Sequence, residues 1–245
     1  MPKIPALAGG IVVVTVLSSC TGPKVDFLNQ DQGFDHKALS HGGIAVGGGT
    51  TKLGTWDDRV ALREALTKDF ETILRKERKD LRVLGAGDVR STLGSVAYED
   101  LMDGFDRSGD LTPEELAEMD SLVGDQVRYA AFARVEDSSV SESENEDHSD
   151  PDKTTTTLTT TRTVRVAFHV YDLQSRRSVW NATLTGEKAS AKTRVEDESA
   201  GFFEGIVSGM VDSLLGLDEH PNAPRTAAVL GGIFAKFARE LPHSK

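Results

Sequence analysis

The chain has 245 residues and a formal net charge of −11, from 28 Lys and Arg against 39 Asp and Glu, and it contains one cysteine. That balance argues against a nucleic-acid binder, which needs a basic stripe, and against electrostatic docking to anionic lipid. One cysteine allows no disulfide within the chain and no cysteine framework for a metal, while the length suffices for one sizeable core with appendages.

The chain opens with Lys3, then an uncharged stretch over residues 4–17 that ends in the apolar run IVVVTVL. A membrane-crossing helix needs about 20 mostly apolar residues, so this run is too short to span a bilayer. A basic start, a short apolar middle and small residues at the end mark a secretory signal peptide over residues 1–19. Leu17-Ser18-Ser19-Cys20 resembles the bacterial lipoprotein signal, in which a leucine and two small residues precede the cysteine. The resemblance implies cleavage between Ser19 and Cys20. It also implies a thioether-linked diacylglycerol on Cys20 and a further acyl chain, such as palmitate, on its new amine. Each buried methylene contributes about 0.8 kcal/mol, so a cysteine carrying several chains makes a lasting lipid anchor. Thr21 follows the cysteine, whereas an Asp there often retains lipoproteins in the inner membrane of enteric bacteria. By that analogy the protein belongs to the outer membrane and faces the periplasm.

Residues 20–42 are polar and without periodicity, and read as a tether from membrane to domain. Ile44 to Val46 form a short apolar strand running into VGGGTTK, which reads as a flexible turn. Thr55 suits an N-cap, with Asp57 and Asp58 in the first turn of a helix. Leu62, Leu66, Phe70 and Ile73/Leu74 give that helix its apolar stripe, and RKERKD closes it. A strand follows at residues 81–84. Residues 88–124 are helical but broken, with Thr112-Pro113-Glu114-Glu115 reading as N-cap, N1 proline and capping-box glutamate. Residues 127–136, rich in aromatic and β-branched side chains, read as a strand. The serine-rich acidic stretch at 136–153 has little to bury and is expected to be a disordered loop.

Extended structure resumes where Val164, Val166, Phe168 and Val170 alternate with Arg165, Ala167, His169 and Tyr171. QSRRS makes the turn, and VWNATLTGE returns as the partner strand. Two helical patterns end the chain. One carries Phe202, Phe203, Ile206, Met210, Val211, Leu214 and Leu215; the other carries Val229, Leu230, Ile233, Phe234 and Phe237. Neither has 18 uninterrupted apolar residues, so both read as core or domain-packing helices, with membrane-surface or partner contact as the alternative for such apolar faces.

Several stretches suggest chemistry and fail on spacing. VGGGTTK lies between a strand and a helix, where phosphate loops sit, but lacks the required Gly-Lys-Ser/Thr ending. DRSGDLTPEE places Asp106, Ser108 and Asp110 at the first three odd positions of a calcium loop. Leu111 then stands where glycine is needed and Ala117 where glutamate is needed, so the segment reads as a helix–turn–helix connection. The histidines, among them His36, His41, His148 and His169, lack ligand spacing, and strand alternation places His169 at the surface. Trp180 reads as core. No Gly-x-Ser-x-Gly elbow is present.

The order of elements predicts an α/β (α+β) fold, a mixed β-sheet of about five strands with helices packed on it, plus C-terminal helices. The predicted organisation is a signal peptide at 1–19, a tether at 20–42, the α/β domain at 43–190 and a C-terminal helical segment at 191–245. The succession IAV, long helix, LRVLGAGDV, VRYAAFARVED and VRVAFHVYDLQSRRSVWNATLTGE resembles a domain of three envelope groups. These are curli secretion-channel lipoproteins, the Tol-system periplasmic protein's N-terminal domain, and lipoprotein activators of penicillin-binding proteins. The resemblance covers residues 43–187 and speaks to fold more than function. It departs where no aliphatic-Pro-Phe follows the first strand and where no transmembrane β-hairpins are evident. The expected role is a lipid-anchored, non-enzymatic binding or scaffold module with an envelope-protein partner and neither cofactor, metal nor nucleic acid. The alternative is a subunit of an outer-membrane export or assembly complex, and the sequence leaves the oligomeric state open.

Overall fold

A computed structural model describes residues 22–150, 153–197 and 220–244. In chain order the elements are β1 (Lys24–Gln30), α1 (His36–Gly42), β2 (Ile44–Thr51), α2 (Trp56–Glu77), β3 (Val83–Leu84) and α3 (Ala86–Leu93). There follow α4 (Ser95–Ser108), α5 (Pro113–Val123), β4 (Tyr129–Asp150), β5 (Lys153–Asp172), β6 (Arg177–Asp197) and α6 (Thr226–Glu240). The strands form one six-stranded sheet in the order β1-β6-β5-β4-β2-β3. β2 pairs in parallel with β3 and β4, while β1 runs antiparallel to β6, so the sheet is mixed.

The described residues divide into two compact units. The larger comprises residues 22–139, 163–187 and 226–244; the smaller comprises 140–150, 153–162, 188–197 and 220–225. In the smaller unit Leu158 and Thr160 are buried, and Arg162 Nε donates to the Pro224 carbonyl at 2.6 Å.

Local sequence explains the helices of the larger unit. Thr55 caps α2: Asp58 N–H donates to its hydroxyl at 3.4 Å, and its own N–H donates to Asp58 Oδ2 at 3.0 Å. Thr112 and Glu115 build the same capping box on α5, with Pro113 in the first turn, where the missing N–H costs nothing. The broken helical region resolves into α3, α4 and α5, separated at Gly94 (φ 83°) and Gly109 (φ 79°). Both positions need the positive φ that glycine adopts without a Cβ clash.

Within the larger unit the sheet is covered on both faces. On one face α2 and α6 pack over β4, β5 and β6, with Phe70, Phe168, Phe234 and Phe237 in mutual ring contact. Phe168 stacks on Phe237 at 4.4 Å, and Trp180, fully buried as its strand context suggests, meets Phe237 edge-on at 5.3 Å. On the other face α3, α4 and α5 bury Val89, Met102, Phe105 and Met119 against Ala45, Ala130, Phe132 and Tyr171. The alternation expected in β5 is present, since Val164, Val166, Phe168 and Val170 are all fully buried.

The structure also departs from the sequence reading. The tether expected at 20–42 is instead largely part of the fold: Lys24 to Gln30 add a sixth strand through main-chain pairing to β6, from Lys24↔Thr185 to Gln30↔Trp180. Its side chains are mostly exposed, so no hydrophobic alternation marks it. The acidic loop continues β4 through Asp150, held by pairing in the sheet while residues 141–149 stay exposed. The glycines of VGGGTTK are not a turn but lie inside β2, which is buried along its whole length. A Cβ on Gly47 would fall on the Phe132 ring and one on Gly48 on the Met102 thioether, so close approach demands glycine there. Leu62 stays half-exposed because its neighbour Arg63 turns inward toward α4. Of the two C-terminal stripes, that of α6 is buried in the core, whereas Phe202 to Leu215 lie outside the described residues.

Candidate functional site

Ser19 and Cys20, the expected cleavage and lipidation residues, lie outside the described residues. The described chain takes up at Gly22, and Pro23 rests beside α6, where a Cβ on Gly232 would lie 3.4 Å from Pro23 Cγ. β1 begins at the next residue and forms one margin of the sheet. A bulge at Asp26 separates the pairs Val25↔Leu184 and Phe27↔Thr183. Phe27 retains 55% and Leu28 43% of their surface exposure. Lys24 and Asp26 form an ion pair of 3.7 Å on this strand.

A second feature is a groove of about 720 Å³ between α2 and the α3–α4 pair, lined by Val60, Arg63, Thr67, Ala86, Arg90 and Tyr98. Its polar walls are fixed by the fold. Tyr98 donates its hydroxyl proton to the Gly47 carbonyl at 2.9 Å, and burial pushes its pKa up to about 12. Thr67 Oγ1 accepts from the Gly49 N–H at 2.9 Å. Arg63 forks between Glu99 at 2.8 Å and Asp103 at 2.7 Å, tying α2 to α4. Arg90 reaches Glu99 at 3.1 Å and lies 5.9 Å from the centre of the Tyr98 ring. Val60 and Trp56, one helical turn apart on α2, stay about two-fifths exposed.

The two candidate calcium carboxylates have separate partners, while Ser108 Oγ donates to the Asp110 carbonyl and accepts from the Asp110 N–H. Asp106 is buried against Arg59, whose Nη1 stands 3.1 Å from Oδ2. Asp110 Oδ1 accepts from the Tyr171 hydroxyl at 2.6 Å and from the Leu111 N–H at 2.9 Å. Ser108 Oγ also lies 2.9 Å from the Gly104 carbonyl. The segment is the helix–turn–helix connection that its spacing suggests, with Gly109 left-handed at the end of α4.

His169 is not the surface residue that strand alternation places it as. Its ring stacks parallel to Tyr171 at 5.9 Å and meets Phe105 edge-on at 6.0 Å, and burial lowers its pKa. His169 lies on the face that alternation gives it, but α4 packs over that face and covers the ring. His36 sits 3.8 Å from Asp80, His41 bonds the Lys37 carbonyl at 2.9 Å, and His148 lies 3.4 Å from Glu146. These histidines serve separate local contacts. Sequence reasoning missed the β1 margin and the Arg63 fork. Arg63 carried a signal, since it occupies a core-facing position one turn before Leu66 and Thr67.

Beside Asp106, Arg134 donates from Nη1 to the Asp106 carbonyl at 3.2 Å and from Nε to Glu136 at 2.7 Å. Burial pushes the Glu136 carboxyl up, but Lys52 and Arg134 outweigh it and hold the group below its ordinary range. Arg128, just before β4, grips Asp172 at the end of β5 at 2.6 Å. The Asp172 carboxyl is raised by burial and lowered further by that guanidinium, for a net fall.

No protein-family model matches the chain, and no curated protein sequence does. Solved structures give low-level likenesses. A PelC dodecamer from Paraburkholderia phytofirmans is 12% identical, covering 93% of this chain and 100% of that one, with a TM-score of 0.35. The lipoprotein GNA1162 from Neisseria meningitidis is 11% identical, covering 71% and 94%, with a TM-score of 0.27. At such scores the assignment of a role rests on the residues of this chain.

Proposed function

We propose that the protein is an envelope lipoprotein, fastened by acyl chains on Cys20 to the outer membrane, whose α/β domain binds another envelope protein without catalysing a reaction. The observation that carries this reading is the position of its one cysteine, directly after Leu17-Ser18-Ser19 at the end of a short apolar run. Anchoring confines the domain near the bilayer and raises its effective concentration for any partner within reach. The groove side of α2 supports a binding role. Arg63, Thr67 and Tyr98 are committed to contacts within the fold, which fixes their shape, while Val60 and Trp56 offer apolar surface. The apolar stripe of α6 is consumed by the core, so the surface proposed for the partner is the groove beside α2.

Cross-linking and pull-down from envelopes tests the reading, with wild type compared against Cys20→Ala and Val60→Glu. The expected outcome is one set of captured envelope proteins, lost from Val60→Glu and moved to the soluble fraction with Cys20→Ala. Identical fractionation and identical capture for all three chains would contradict it. A ring-forming export subunit would instead elute from detergent as a multimer of defined number, independent of any partner.

A further inference from the structure

We propose that β1 is the membrane-facing margin of the domain, and that Phe27 and Leu28 dip into the lipid headgroup and acyl boundary beside the anchor; this rests on the lipid-anchor reading of Cys20. The first observation is the length of the leash. Only Thr21, Gly22 and Pro23 separate Cys20 from the first residue of β1. A fully extended chain gains at most about 3.6 Å per residue, which holds Lys24 within about 14 Å of the acylated cysteine. Pro23 lies against α6 at Gly232, so the last part of that leash is already packed on the domain. A domain held this closely cannot turn an arbitrary side toward the bilayer. The sheet margin at β1 is the part that the leash brings to it.

The second observation is what that margin presents. Phe27 pairs opposite Thr183 and Leu28 opposite Ala182, so consecutive residues project from opposite faces of the strand. Both are large apolar side chains left about half-exposed on the rim of the sheet. The charges of the strand cancel, because Lys24 and Asp26 pair with each other at 3.7 Å and the remaining residues are neutral. In a chain of net charge −11 this matters, since most of such a surface is repelled by anionic headgroups.

The third consideration sets the depth. The outer side of an edge strand carries unpaired N–H and C=O groups, which hydrocarbon cannot satisfy. Water and headgroups can satisfy them at the interface. The strand therefore lies at headgroup level with only its two apolar side chains reaching toward the acyl region. Seating it there also covers an edge that would otherwise invite pairing with another chain.

The test uses the full lipidated protein reconstituted in phosphatidylcholine vesicles. Lipidation consumes Cys20, so a cysteine introduced at Phe27→Cys is the one free thiol and takes an NBD fluorophore; Val96→Cys on α4, where Val96 is 78% exposed, is the control. The expected result is blue-shifted NBD emission at position 27, with quenching by shallow spin-labelled lipid at least about twofold above that at position 96. Inserting a 20-residue Gly-Ser linker between Gly22 and Pro23 should return the probe at 27 to a water-like spectrum while the protein still floats with vesicles. A water-like probe at 27 in the unextended, vesicle-bound protein would overturn the inference and leave the anchor standing. A blue shift without lipid quenching would show that a protein strand covers β1, and would overturn it too. Failure of the protein to float would remove the anchor reading, and this inference with it.

Discussion

The Asp106 carboxylate, whose side chain has no exposed surface, lies 3.1 Å from the Arg59 guanidinium and makes no hydrogen bond beyond that ion pair among the described residues. It joins α2 to α4 above the turn that leads into α5. Removing the cation leaves a buried charge without compensation. Arg59→Met should therefore destabilise the fold by about 3 kcal/mol, the lower end for a broken buried pair because Arg59 itself is partly solvated. The double change Arg59→Met with Asp106→Leu should recover most of that loss. Urea unfolding of the three chains checks both statements.

Burial lowers the pKa of His169 from its ordinary value of 6.5, against the opposing field of Asp110 and Glu136 and with help from Arg134. The unfolded chain then binds a proton at a higher pH than the folded chain does. Stability from this group is complete above about pH 7 and falls as the pH drops through 6.5 toward the lowered folded value. Asp172 and Glu136 behave in the carboxylate sense, with stability lost only at more acid pH as each is protonated. His169→Phe should flatten the slope of unfolding free energy as the pH falls below 7 toward the lowered folded value and leave the more acid limb in place.

Phe237 touches Phe70, Phe168 and Trp180, so it links α6 to both α2 and the sheet. Phe237→Ala should cost about 3–5 kcal/mol through lost transfer energy and the remaining cavity. Denaturant unfolding measures it, with Phe27→Ala on exposed β1 as a comparison expected to cost well under half as much.

The glycines of β2 and of α3 should respond in opposite directions. Gly47→Ala places a methyl against the Phe132 ring and should destabilise by about 1–3 kcal/mol. Gly87→Ala meets nothing within 4 Å and should raise stability by up to about 1 kcal/mol through helix propensity and a less flexible unfolded chain. Thermal melts of the two variants beside wild type decide it.

Much of the fold was legible where local signals and burial agree. Thr55 announced its helix as an N-cap followed by acidic residues, Thr112 announced its helix through a capping box, and Val164 to Val170 announced a strand with one buried face by period. Two of the misses, β1 and the acidic end of β4, share one cause, which is that main-chain pairing can hold a strand without marking its side chains. β1 is held by the edge of β6, and the acidic end of β4 by its place in the sheet, so both look like solvated coil in sequence. The β2 glycines look like a turn because their reason, the nearness of Phe132 and Met102, is a tertiary contact. At the candidate site, the Leu17-Ser18-Ser19-Cys20 pattern is a local spacing that needs no fold to be read, and it lies outside the described residues. The Arg63 fork and the exposed Phe27 required the fold.

The most direct test of the account is the mass of the N-terminal peptide of the mature protein isolated from bacterial envelopes. The account predicts that the peptide begins at Cys20 and carries a diacylglycerol thioether together with an amide-linked acyl chain. A peptide that retains Ser19, or one whose Cys20 is a free thiol, would contradict it.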